Sequence, residues 1–110
     1  MLNRSAVIIR PGKGYIDWAS SMDDSEFVPA EDGEHTVYLI PEYDDDLHAM
    51  EILAQVYQVI FEEELYGWHT DESKWPKNRT FEKFQKWFLI EFHSVVEDLC
   101  DYPVIDDETL

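Results

Sequence analysis

Phe81, Phe84, Phe88, Phe92, Val95 and Leu99 fall within about 40° of one line when successive residues are placed at 100°. No other pattern in the chain restricts the fold as strongly. It predicts one amphipathic helix over residues 81–99 whose narrow apolar face must lie on a core. Thr80 precedes the first of these residues, and its hydroxyl can accept a hydrogen bond from an orphan N–H of the first turn, so it is the expected N-cap. Pro76 and Asn78 then belong to a loop.

A second long helix is expected upstream. Asp44, Asp45 and Asp46 suit a helix start, because short carboxylates cap its N–H groups and oppose the positive end of its dipole. The pattern carries on to Tyr66, with Gly67 as the stop residue. Met50, Leu53, Val56, Tyr57, Ile60 and Phe61 form a wide apolar face, and Ile52, Val59 and Tyr66 make a further seam at a spacing of seven. Cover of that seam by the same chain, hence a monomer, is the preferred expectation; the alternative is a homodimer through Ile52, Val59 and Ile90.

Residues 5–10, SAVIIR, read as a buried strand closed by Pro11 and Gly12. Residues 15–22 predict a short helix that lays Ile16 and Trp18 on the domain. Residues 23–34 read as a mobile acidic loop, and 36–40, TVYLI, as a second strand ended by Pro41. Residues 102–105 predict a last strand, which Pro103 confines to an edge or to a first position, and 106–110 a frayed acidic tail. The expected fold is therefore α+β: a single domain over 1–110, with a small three-stranded sheet, two long amphipathic helices on one face and an additional short helix.

Charge limits the function classes. The net charge is −17, and residues 14–73 carry 17 of the 25 carboxylates without one Lys or Arg. Nucleic-acid binding needs clustered positive charge to displace counterions and is not expected. An acidic surface attracts basic partners instead. No segment approaches the roughly 20 apolar residues of a membrane span, and the amino end lacks a signal-peptide pattern. Cys100, the single cysteine, cannot form an internal disulfide; an inert, at least half-buried thiol in a reducing compartment is the expectation, so the location is cytoplasmic.

The strings MLNRSAVIIRP, TVYLIPEY and WHTDESKWPKNRTFEKFQKWFLIEFHSVV resemble a family of short, acidic, uncharacterised bacterial proteins. The resemblance implies a bacterial origin and a cytoplasmic location. It assigns no activity, cofactor or catalytic residue.

Glycine-rich phosphate loops, nucleophile elbows, HExxH and cysteine pairs are all missing from the sequence, so neither a catalytic residue nor a cofactor is expected. The densest group of functional side chains is the loop at 68–79, with Trp68, His69, Asp71, Trp75 and Arg79, near which Glu64 could stand. Two outcomes are open there. The tryptophans plug the end of the helix pair while Asp71 or Ser73 caps a turn, or the loop is a binding pocket. A metal held by Glu63 or Glu64 with His69 and Asp71 is a sharper variant, and Lys74, Lys77 and Arg79 could take an anion. The carboxylates Glu62, Glu63 and Glu64 otherwise need basic neighbours from the following loop and helix. His93 and Glu97, four apart on the outer face of the predicted helix, read as a solvated pair.

The functional expectation is a non-catalytic acidic interaction module, an adaptor or inhibitor for a basic protein surface. The alternative is a small ligand-binding protein or enzyme with its site in the 68–79 loop.

Overall fold

A computed structural model describes residues 1–22 and 35–106. Its centre is β1 (Ser5–Pro11), the middle strand of a three-stranded antiparallel sheet of order β2-β1-β3. The run Ala6, Val7, Ile8 and Ile9 suits a position with neighbours on both sides; Ala6, Val7 and Ile9 are buried. Strand β2 (Thr36–Ile40) pairs through Val7↔Tyr38 and Ile9↔Thr36, and β3 (Phe88–His93) through Val7↔Phe92 and Ile9↔Ile90. The α+β class with three strands is as the sequence predicts, but the third strand is β3. Residues 102–105 have no regular structure and are exposed.

The predicted helix over 81–99 is thus divided. Helix α3 (Phe81–Trp87) lasts seven residues, and β3 follows with no intervening loop. Phe88 closes the helix by donating its N–H to the Phe84 carbonyl while already in extended backbone. Phe84, Phe88 and Phe92 are four apart, which is about one helical turn and also two strand repeats, so their spacing fits either element. Pairing with β1 decides it. Phe88, Ile90 and Phe92 face the core, while Leu89, Glu91 and His93 point outward. Val95 and Leu99, on the predicted stripe, are 60% and 96% exposed. His93 and Glu97 are not a pair: His93 Nε2 meets Glu91 at 2.7 Å, and Glu97 meets the amino terminus at 2.9 Å. Cys100 is exposed, contrary to the expected burial.

Helix α2 (Asp46–Trp68) is the one long helix among the described residues. Asp45 is its N-cap, accepting from the His48 N–H at 2.8 Å. Gly67 does not stop it. The helix runs one residue further, and among the described residues no glycine takes a positive φ. Ala49, Leu53, Ile60, Phe61 and Leu65 bury its main face, and Ile52 is buried as well. Helix α1 (Lys13–Met22) turns Tyr15 and Ala19 inward, with Trp18 half-buried against the core, whereas Ile16 is outside that cluster. The helices therefore share the sheet face that carries Val7, Ile9 and Ile40, and on the opposite face Val37 and Leu39 are exposed.

Aromatic rings join these layers. Phe61 lies 5.7 Å from Phe84, 5.6 Å from Trp87 and 5.4 Å from Phe88, all within the range of favourable edge contacts. The turn between β1 and α1 must pass very close to Trp87. A Cβ on Gly12 would stand 2.8 Å from the Trp87 carbonyl oxygen, and one on Gly14 would overlap its indole. Both glycines are there for that approach. The predicted mobile loop at 23–34 and residues 107–110 of the predicted frayed tail lie outside the described residues.

Candidate functional site

The loop after α2 holds the sequence-predicted site residues, and its own bonds engage them. The Trp68 Nε1–H donates to the Ala19 carbonyl at 3.2 Å, and the Trp75 Nε1–H to the His69 carbonyl at 2.8 Å. Trp75 is buried in the core cluster, with Trp68 packed beside it. A third tryptophan, Trp18, donates to the Lys74 carbonyl at 3.0 Å and ties α1 to the loop. Each ring buries apolar area and satisfies a backbone acceptor of the loop or of α1 that would otherwise be left to water.

Asp71 caps the 3₁₀ turn Glu72–Lys74, accepting from the Ser73 N–H at 3.0 Å and the Ser73 hydroxyl at 2.8 Å. These bonds hold its carboxyl below the ordinary aspartate range. The Asp71 N–H donates to His69 Nδ1 at 3.2 Å. Arg79 donates to the Pro76 carbonyl at 2.9 Å, stands 5.8 Å over the Trp75 ring and meets Glu62 at 3.7 Å. Of the carboxylate trio, Glu62 therefore finds the basic neighbour that the sequence requires.

Glu64 does not join the loop. It points to β2, where it accepts from the Thr36 hydroxyl at 3.1 Å and the Tyr38 hydroxyl at 3.2 Å, while the Tyr15 hydroxyl donates to the Glu64 carbonyl at 2.8 Å. Burial raises the Glu64 pKa, against the lowering effect of the two hydroxyl donors. Burial and the nearby Glu64 charge raise both Tyr15 and Tyr38 as well. The result is a polar joint between α1, α2 and β2. Its signal was present in the sequence: Glu64 follows Tyr57 by seven and Ile60 by four, which sets a carboxylate on the apolar face.

The metal variant is not assembled. Among the described residues no three His, Cys, Asp or Glu side chains come together as a metal site. An open depression of about 250 Å³ lies over α3, lined by Thr80, Glu82, Lys83, Lys86 and Trp87, and Glu64 is not in its wall. No helix among the described residues is long and apolar enough to cross a membrane.

The surface with the most distinctive chemistry is the outside of α2. The helix has no Lys or Arg along its 23 residues. Val59 and Tyr66 are 61% and 60% exposed, among exposed Glu51, Glu62 and Glu63. The seam for which the sequence prefers cover by the same chain, with a homodimer as the alternative, is covered only in part: Ile52 is buried and Ile90 packs against the core, while Val59 and Tyr66 stay exposed. No protein family, curated protein or solved structure matches the chain.

Proposed function

We propose that this protein is a non-catalytic interaction module of the bacterial cytoplasm, an adaptor or inhibitor that docks the outside of α2 on a basic protein surface. The observation that carries the reading is the exposed face of α2, where apolar Val59 and Tyr66 sit among carboxylates on a helix without a lysine or arginine. Exposed apolar groups supply contact area when desolvated, and the surrounding charge selects and steers the partner. The single cysteine, which cannot form an internal disulfide, supports the location. A ligand site in the 68–79 loop is less favoured, because His69, Asp71, Trp75 and Arg79 are each engaged by the chain itself.

Calorimetric titration with a synthetic amphipathic Lys/Leu peptide tests the proposal. Binding at low salt should weaken about tenfold in Glu62→Gln/Glu63→Gln and also in Val59→Ser/Tyr66→Ser. A charge-matched control away from α2, Glu72→Gln/Glu82→Gln, should leave it nearly unchanged. Equal loss in both carboxylate pairs would mean that the peptide senses only net charge, and the assignment to α2 would fail.

A further inference from the structure

The cations of this acidic chain are concentrated in one place. Residues 74–86 carry five of its eight Lys and Arg with a single carboxylate, Glu82, although the whole chain has a net charge of −17. The expected use of these cations is to neutralise Glu62, Glu63 and Glu64, yet only Arg79 does so, at 3.7 Å from Glu62. Lys86 pairs with Glu82 of its own helix at 3.2 Å, both side chains exposed. Among the described residues Lys74, Lys77 and Lys83 enter no ion pair.

These free charges adjoin an aromatic wall. Lys83, Lys86 and Trp87 line the open depression of about 250 Å³ over α3, with Thr80 and Glu82. Trp87 is half-buried: its indole packs on Phe61 at 5.6 Å and on Trp18 at 6.2 Å, and the chain at Gly14 presses directly against it. The ring is thus fixed from within while part of it stays in the wall of the depression. Lys83 is half-buried too, so its stem extends the apolar wall while its ammonium has no carboxylate partner. Trp18 donates to the Lys74 carbonyl at 3.0 Å, so the basic loop runs along the same pair of indoles.

We infer that this depression is a docking site for an acidic peptide segment with one aromatic anchor. The anchor lies on the Trp87 indole, and the carboxylates flanking it meet Lys83 and Lys86. Charge complementarity selects the occupant. At physiological salt the Debye length of about 8 Å lets a short segment sense this patch apart from the acidic body, whereas nucleic acid or a second copy of the chain would be repelled along its whole extent. The volume is below the roughly 300–1,000 Å³ of small-molecule pockets and suits one side chain. Glu82 in the wall opposes a multiply charged phosphate but can accept a backbone N–H from a peptide. The site is separate from the outside of α2, takes the opposite chemistry, and stands or falls without that proposal.

Calorimetric titration of the full chain with the capped peptide Glu-Glu-Phe-Glu-Glu at physiological salt tests the inference, with the Trp87 indole N–H followed in nitrogen-15 spectra. Binding should shift that signal. It should weaken at least about tenfold in Lys83→Gln/Lys86→Gln, and by a similar factor when Ser replaces the Phe of the peptide. Should the double variant misfold, Lys86→Gln alone, at an exposed position, should weaken binding in the same direction. Arg4→Glu changes the net charge as much as the lysine pair does, but before the far end of β1, and should leave the affinity within about twofold. Inorganic phosphate and adenosine triphosphate should not displace the peptide. No binding at millimolar peptide, equal binding of the Ser peptide, an Arg4→Glu loss as large as that of the lysine pair, or displacement by either phosphate compound would overturn the inference.

Discussion

Truncating Phe84 tests the division of the aromatic stripe into a helix and a strand. Its side chain is fully buried, with ring centroids 5.0 Å from Phe88, 5.7 Å from Phe61 and 5.8 Å from Tyr57. Phe84→Ala removes these contacts and leaves a cavity enclosed by α2, α3 and β3, which costs about 3–5 kcal/mol. Against a domain stability of roughly 5–15 kcal/mol, much of the protein could unfold. The decisive comparison is Leu99→Ala. At 96% exposure it should cost less than about 0.5 kcal/mol, whereas one continuous helix through 99 would bury Leu99 and raise the cost to about 2–5 kcal/mol. Urea titration followed by tryptophan fluorescence and far-ultraviolet dichroism reads both variants, at low concentration so that association does not contribute. A Phe84→Ala cost under about 1 kcal/mol, or a Leu99→Ala cost above about 2 kcal/mol, would refute the packing described above.

Three other substitutions examine separate parts of the argument. Thr80→Ala removes the cap that accepts from the Lys83 N–H at 3.1 Å and should lower stability by about 1 kcal/mol, with Thr80→Asn close to wild type in the same titration. Gly12→Ala should cost about 1–3 kcal/mol, because the Trp87 carbonyl in its path is backbone and cannot swing aside; a neutral result in thermal melts would disprove the close approach. Glu64 sets a pH dependence. Its pKa is raised above the ordinary 4.5, so just above that value the native state holds more protons than the unfolded one. The stability this group contributes is complete below 4.5 and is lost as pH climbs through the raised value. Glu64→Gln should remove that part of the slope in urea midpoints measured from about pH 4 to about pH 8, and superimposable slopes would contradict the assignment.

Sequence alone determined the features that depend on neighbours along the chain. The cap at Thr80, the start of α2 at Asp45, the bounds of β2 and the α+β class follow from local hydrogen bonding and apolar period, which act within a few residues. The loop at 68–79 was legible as a cluster but not as a plug or a pocket, since that depends on whether the Trp68 and Trp75 N–H groups find carbonyls from Ala19 and His69. Tertiary structure decided the rest. Phe88 and Phe92 fit a helical or an extended backbone, and cross-strand bonds to β1 from residues some eighty positions away selected the strand. The same pairing left Val95 and Leu99 in solvent and placed His93 beside Glu91. Glu64 carried a visible signal, a carboxylate on an apolar face, but its Thr36 and Tyr38 partners are distant in sequence and meet it only when β2 lies against α2. A spacing of four cannot distinguish a helical turn from two strand repeats; a partner strand supplies the missing hydrogen bonds and settles the choice.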